Sequence, residues 1–236
     1  MADRQSLCVA LDGSDRDWIL STARNLAGHV GWLKIGLEAF VAHGPNLVGE
    51  VADTGVRVFL DLKLHDIPAT VRRASTNCAA AGAAMITIHA SGGPAMIEAA
   101  TEGVRAGSAG VSTQVVAVTV LTSLDQTTLN EIGWNQRPEQ LAGRLALLAR
   151  DGGVDGVVSS AHEAAVIRRL CGDRFVIVTP GIRPAQSDAD DQRRVVTPAE
   201  AIQAGSNILV IGRPITRSPH PIQAVESILE EMGSQA

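Results

Sequence analysis

The chain has 236 residues, 45% of them hydrophobic and 19% charged, with a formal net charge of −5 at pH 7. That balance suits a globular protein with a sizeable core, and it offers neither a basic stripe nor aromatic platforms for nucleic acid. No window reaches the roughly 18 uninterrupted apolar residues of a membrane span, and the N-terminus MADRQSLCVALDG lacks the basic-then-apolar plan of a signal peptide; a cytoplasmic protein with no membrane or nucleic-acid partner is expected.

In chain order, short β-branched runs alternate with stretches of helical periodicity. LCVALD (7–12) reads as a strand and is followed by a helix over 15–28, opened by the cap-type residues Ser14 and Asp15. WLKIG (32–36) precedes a helix over 37–54, and VFLDLK (58–63) precedes one over 68–82 that starts on Pro68. MITIHA (85–90) leads to a helix over 93–106 near Pro94, and VVAVTVL (115–121) to one over 138–151. GVVSS (156–160), FVIVTPG (175–181) and ILVIG (208–212) are the last strands, with helices over 162–171, 197–204 and 221–232. Cys8, Cys78 and Cys171 are far apart and without metal-type spacing, which reads as reduced structural thiols.

Eight strand–helix units in this length predict one domain over 1–236, a single (β/α)8 barrel of the TIM type; a doubly wound open sheet is the alternative, because alternation alone does not prove closure. No linker divides the chain, and its longest polar insertion runs from Arg183 to Arg194. In such a barrel, chemistry gathers where the strands end. The polar residues there are Asp12, Lys34, Asp61 with Lys63, His89, Thr119 with Thr122, Ser159 with Ser160, Thr179, Arg183, and Gly212 with Arg213.

The run VFLDLKLHDIPATV (58–71) is the most unusual of these, because charges set into an apolar strand are costly to desolvate. Strand alternation gives Phe59, Asp61 and Lys63 one face, aimed at the barrel mouth, and Leu60, Leu62 and Leu64 the other, aimed at the helices. Asp66 falls past the strand, on the loop before Pro68. A lysine held between carboxylates stays protonated and is fit to deliver a proton to a carbanion. GIRP (181–184) and VIGRP (210–214) close strands seven and eight, where such barrels commonly bind phosphate through glycine backbone and arginine forks.

On these residues the chain resembles the orotidine 5′-phosphate decarboxylase family, in its bacterial branch. DLKLHDIPATV is similar to that family's DxKxxDIPxTV signature, and ALD, KIG, HASGG, TVLTS, TPGIRP, DQRR and IGRPIT follow in the family's order. DxKxxD alone is shared with hexulose-6-phosphate synthase and its relatives; the GIRP, DQRR and IGRPIT tail favours the decarboxylase. The resemblance implies conversion of orotidine 5′-phosphate to uridine 5′-phosphate (UMP) and CO₂, with no cofactor and no metal, as the last step of de novo UMP synthesis. It implies that Lys63 protonates C6, that Asp61 lies near the departing carboxylate, and that Asp66 and Lys34 complete the charge network. It further implies a homodimer in which Asp66, Ile67 and Thr70 serve the partner subunit's site. Asp12 and Lys34 would hold the ribose hydroxyls and Thr122, with Ser123 second, would read the pyrimidine edge. Gln192 would bridge base and phosphate, and Arg183, Gly212 and Arg213 would contact the phosphate. His65 and His89 read as structural or supporting histidines, and Gln186 and Asp190 depart from the small residues expected in that loop. The competing readings are a metal-dependent sugar-phosphate aldolase or decarboxylase of the same barrel, and a non-catalytic nucleotide-binding barrel.

Overall fold

The computed structural model describes residues 3–108, 112–184 and 196–233. Eight strands form: β1 Leu7–Leu11, β2 Trp32–Gly36, β3 Arg57–Leu64, β4 Met85–His89, β5 Gln114–Val118, β6 Gly156–Val158, β7 Val176–Pro180 and β8 Ile208–Ile211. Each pairs in parallel with the next, and β8 returns to β1 from Leu7↔Leu209 to Val9↔Ile211, so the sheet is a closed barrel. Closure leaves no sheet edge and rules out the open doubly wound alternative.

The helices are α1 Arg16–Leu26, α2 Leu37–His43, α3 Pro45–Ala52, α4 Pro68–Ala80, α5 Pro94–Gly107, α6 Gln126–Glu131, α7 Pro138–Asp151, α8 Ala161–Cys171, α9 Pro198–Gln203, α10 Arg213–Thr216 and α11 Pro221–Gly233. The Asp15 side chain caps α1 by accepting from the Trp18 N–H, and Thr197 with Glu200 forms a reciprocal capping box on α9. The single helix expected over 37–54 is two, because Gly44 takes φ +69° and Pro45 starts a new helix. α6 and α10 were not expected. α6 is short and owes its start to Asp125, whose carboxylate accepts from the Thr128 N–H at 2.9 Å.

Strand pleating divides the core in two. Cys8, Ala10, Trp32, Phe59, Met85 and Val210 fill the barrel, whereas Val9, Leu11, Leu33, Ile35, Leu60 and Ile86 pack outward against the helices. At the N-terminal end the Trp32 indole donates to the Gln5 carbonyl at 3.1 Å, and the Arg57 guanidinium stacks 3.8 Å from the centroid of its ring. That end is plugged by packing, and the polar strand ends gather at the opposite one. The three cysteines are free; burial raises the Cys78 thiol to about 11 and the Cys8 thiol further still, which keeps both unreactive.

α4 and α5 approach closely at Gly103, where a Cβ would strike the Arg72 carbonyl and lie 2.9 Å from Ser75 Cβ. The Thr76 hydroxyl donates across the same contact to the Gly103 carbonyl at 3.0 Å. Gly103→Ala is therefore expected to cost about 1–3 kcal/mol, as overpacking does, seen as a lowered urea midpoint. Gly49→Ala in α3, whose added Cβ would meet the Ala81 carbonyl at a relaxed 3.8 Å, is the control and should be neutral or stabilising.

Candidate active site

The site is built on three adjacent strands. Asp12 follows β1, Lys34 lies in β2 and Asp61 with Lys63 in β3, and the register sets Ala10 beside Lys34 and Gly36 beside Asp61. The charges alternate along this path. Lys34 Nζ lies 3.0 Å from Asp12 Oδ1 and 3.7 Å from Asp61 Oδ2, and Lys63 Nζ donates to both Asp61 oxygens at 2.8 Å. Burial works against the Lys34 ammonium, but Asp12 and Asp61 together outweigh it and hold its pKa above the ordinary value. Lys34 is thus a fixed cation beneath the site.

Strand alternation alone does not deliver Lys63. Pairing with β4 passes from Leu60↔Ile86 to Leu64↔Ile88, so β3 is bulged, and Lys63 takes φ +53°, the only positive φ of a non-glycine among the described residues. Strain of this kind persists where surrounding contacts over-determine it. The Lys63 N–H donates to Thr87 Oγ1 at 2.7 Å, and that hydroxyl donates to Asp61 Oδ1 at 3.0 Å. The leucine face behaves as expected, with Leu60, Leu62 and Leu64 packed against the outer core.

Two cavities meet on this array, both touching Lys34, Asp61 and Lys63. One, of about 420 Å³, extends over Asp12, Gly36 and His89. The other, of about 240 Å³, is lined by Phe59, Thr122, Ser159, Pro180 and Val210 and is the more apolar in its residues. Gly212, just past β8, lies beside Asp12 across the seam that closes the barrel, since a Cβ there would lie 3.6 Å from Asp12 Oδ2; Arg213 starts α10 next to it and is exposed. Arg183 is buried, and its N–H donates to the Val196 carbonyl at 3.2 Å, next to a bridge between Ile182 and Val196. Gln192, with Gln186 and Asp190, lies outside the described residues.

Asp66 stands apart from the network. It is exposed, its Oδ1 accepts from the Ile67 N–H at 2.6 Å, and among the described residues no ion pair joins it to a lysine. Ile67 beside it is 66% exposed, and Thr70 is half-buried in the first turn of α4. Other polar strand ends have hydrogen-bond partners in neighbouring elements. Thr119 donates to the Val158 carbonyl and Thr179 pairs with the Ser206 hydroxyl inside the wall, so neither faces the mouth as expected; Ser159 and Ser160 are both tied to Glu163 at the start of α8. Ser123 is exposed next to Thr122. Thr87 was missed, because a threonine inside MITIHA gives no signal beyond β-propensity.

His65 and His89 form a tilted ring pair with centroids 5.3 Å apart. Burial, then His65 and Lys63, push His89 below its ordinary pKa against the opposing pull of Asp61. The unfolded chain therefore takes up this proton at a higher pH than the folded one. The stability His89 confers is complete above the ordinary value and is lost as pH falls from there towards the folded value. His89→Gln should flatten this acid limb, measured as the difference in urea midpoint between about pH 7.5 and about pH 5.5.

Residues 5–228 match the family model described as the Orotidine 5'-phosphate decarboxylase / HUMPS family. The orotidine 5'-phosphate decarboxylase of Moorella thermoacetica is 47% identical, over 98% of this chain and 94% of the relative, and that of Alkalilimnicola ehrlichii is 48% identical over 97% of both. The crystal structure of orotidine 5'-phosphate decarboxylase from Lactobacillus acidophilus superposes with a TM-score of 0.85 at 36% identity, covering 96% of this chain and 98% of that one. With the closed barrel and the Lys34, Asp61 and Lys63 array already in place, these matches over nearly the whole chain lead to one assignment: it belongs to the orotidine 5′-phosphate decarboxylase family.

Proposed function

We propose that this chain is a one-domain catalytic barrel that decarboxylates orotidine 5′-phosphate to UMP and CO₂, without cofactor or metal, as a cytoplasmic homodimer and as the last step of de novo UMP synthesis. The observation that carries the reading is the Lys63 ammonium, held 2.8 Å from both Asp61 oxygens where two cavities meet. The names of the relatives support it.

Loss of CO₂ leaves an electron pair in the plane of the pyrimidine ring, which the π system does not delocalise well. Fixed charges must then supply much of the stabilisation, and preorganised charges in a water-poor site are the strongest source available. Lys63 protonates C6 as CO₂ departs, and Asp61 faces the carboxylate that leaves. Asp12 and Lys34 hold the ribose hydroxyls in the larger cavity. Thr122 reads the pyrimidine edge in the smaller, more apolar one. Arg183, Gly212 and Arg213 take the phosphate and Gln192 spans base and phosphate, so that binding energy far from the reacting carbon is used at the transition state. Asp66, Ile67 and Thr70 complete the site of the partner subunit.

The metal-dependent sugar-phosphate reading finds less support, because Asp12 and Asp61 already have lysine partners that would repel a cation. The deciding experiment follows the ultraviolet absorbance of orotidine 5′-phosphate with purified protein after exhaustive chelation. Undiminished turnover is expected. Activity that vanishes with chelator and returns with Mg²⁺ would favour the metal enzyme, and UMP binding with no turnover would favour a non-catalytic barrel.

A further inference from the structure

We propose that Thr87 is a positioning residue, whose hydroxyl fixes Asp61 and Lys63 together; the inference rests on the reaction proposed above. Thr87 is fully buried on β4 between Ile86 and Ile88, whose side chains pack outward, so its own side chain turns into the barrel. Its neighbours there include Phe59, Met85 and Val116, and valine would be the simpler packing choice. The hydroxyl has a different use. The Lys63 N–H can only donate, so Thr87 Oγ1 accepts there at 2.7 Å and its single proton goes to Asp61 Oδ1 at 3.0 Å.

The bulge explains why a side chain is needed. Register passes from Leu60↔Ile86 directly to Leu64↔Ile88, leaving the intervening β3 residues without regular β4 partners. Thr87 Oγ1 stands in as the acceptor for Lys63 and holds it at φ +53°. The same atom stops Asp61 from rotating away from the lysine ammonium that it contacts with both oxygens. Thr87 itself lines neither cavity, and acts through these two residues, which line both.

Thr87→Val removes the hydroxyl at nearly constant shape, and Thr87→Ser keeps it. The valine variant should lose roughly 30-fold or more in kcat, as small misplacements of reacting groups do, with the Kd for UMP changed less than about threefold, whereas the serine variant should stay within about threefold of wild type in both. Hydrogen exchange at the Lys63 amide supplies a readout independent of turnover: protected in wild type and Thr87→Ser, fast in Thr87→Val. Thr87→Ala serves, with the same expectations, if the valine variant does not fold. Wild-type kcat in the valine variant, equal losses in valine and serine variants, or an unchanged Lys63 amide would each overturn the proposal. A wild-type protein without turnover would instead overturn the reaction, while the amide exchange would still judge Thr87.

Discussion

Lys63→Ala should abolish decarboxylation, with kcat reduced by at least about 10⁴-fold, while UMP still binds within about tenfold of wild type; loss of a proton donor accounts for about two to four powers of ten and loss of a preorganised charge for about two to three. The two effects fall on one group, because the same ammonium contacts both oxygens of Asp61 and lines both cavities. Binding should survive because the groups proposed for phosphate and ribose lie elsewhere, at Arg183, Gly212 and Arg213 and at Asp12. The substitution leaves Asp61 with Lys34 at 3.7 Å and the Thr87 hydroxyl at 3.0 Å, so its carboxylate keeps partners and the fold should hold. Circular dichroism and UMP titration verify that much. Lys63→Arg separates the terms further: it restores positive charge but gives up no proton near neutral pH, so it should remain severely impaired. Wild-type turnover in the alanine variant would remove Lys63 from the chemistry altogether.

The parts of this site that were legible in the sequence are those fixed by periodicity and by strand ends. β2 was found with its full extent, 32–36, because WLKIG follows Gly31 and ends on Gly36 where the periodicity turns helical, and Lys34 therefore came out in its place. Asp61 and Lys63 were legible as a pair because two charges in an apolar strand demand a reason. What was not legible depends on partners far apart in sequence. Thr119 and Thr179 resembled mouth residues, yet their hydroxyls pair with the Val158 carbonyl in β6 and the Ser206 hydroxyl just before β8. The positive φ of Lys63 and the role of Thr87 arise from a bulge between β3 and β4, which no pattern within either strand announces. The break at Gly44 was visible as Gly-Pro, but the apolar periodicity on both sides masked it.

Mixing Lys63→Ala chains with Asp66→Asn chains should restore activity that neither has alone. In one chain the alternating array runs Asp12, Lys34, Asp61, Lys63 and ends on a cation, with no second carboxylate on Lys63 among the described residues. Asp66 is the acid left over. It is exposed, held among the described residues to its own loop, and followed by an isoleucine that is 66% exposed, a combination suited to a surface that another chain covers. In a two-fold dimer, if each site draws Lys63 from one chain and Asp66 from the other, a hybrid dimer has one site with both defects and one with none. Random exchange of equal amounts makes half the dimers hybrid, so roughly a quarter of wild-type activity is expected. Asp66→Asn alone should lose about 10²-fold or more, since it removes one fixed charge from the site. Exchange is driven by dilution or mild urea, and hybrid formation is verified with a mass tag on one chain. Hybrids that form but recover no activity would mean that each chain completes its own site, and Asp66 would then have to reach Lys63 by movement of its own loop.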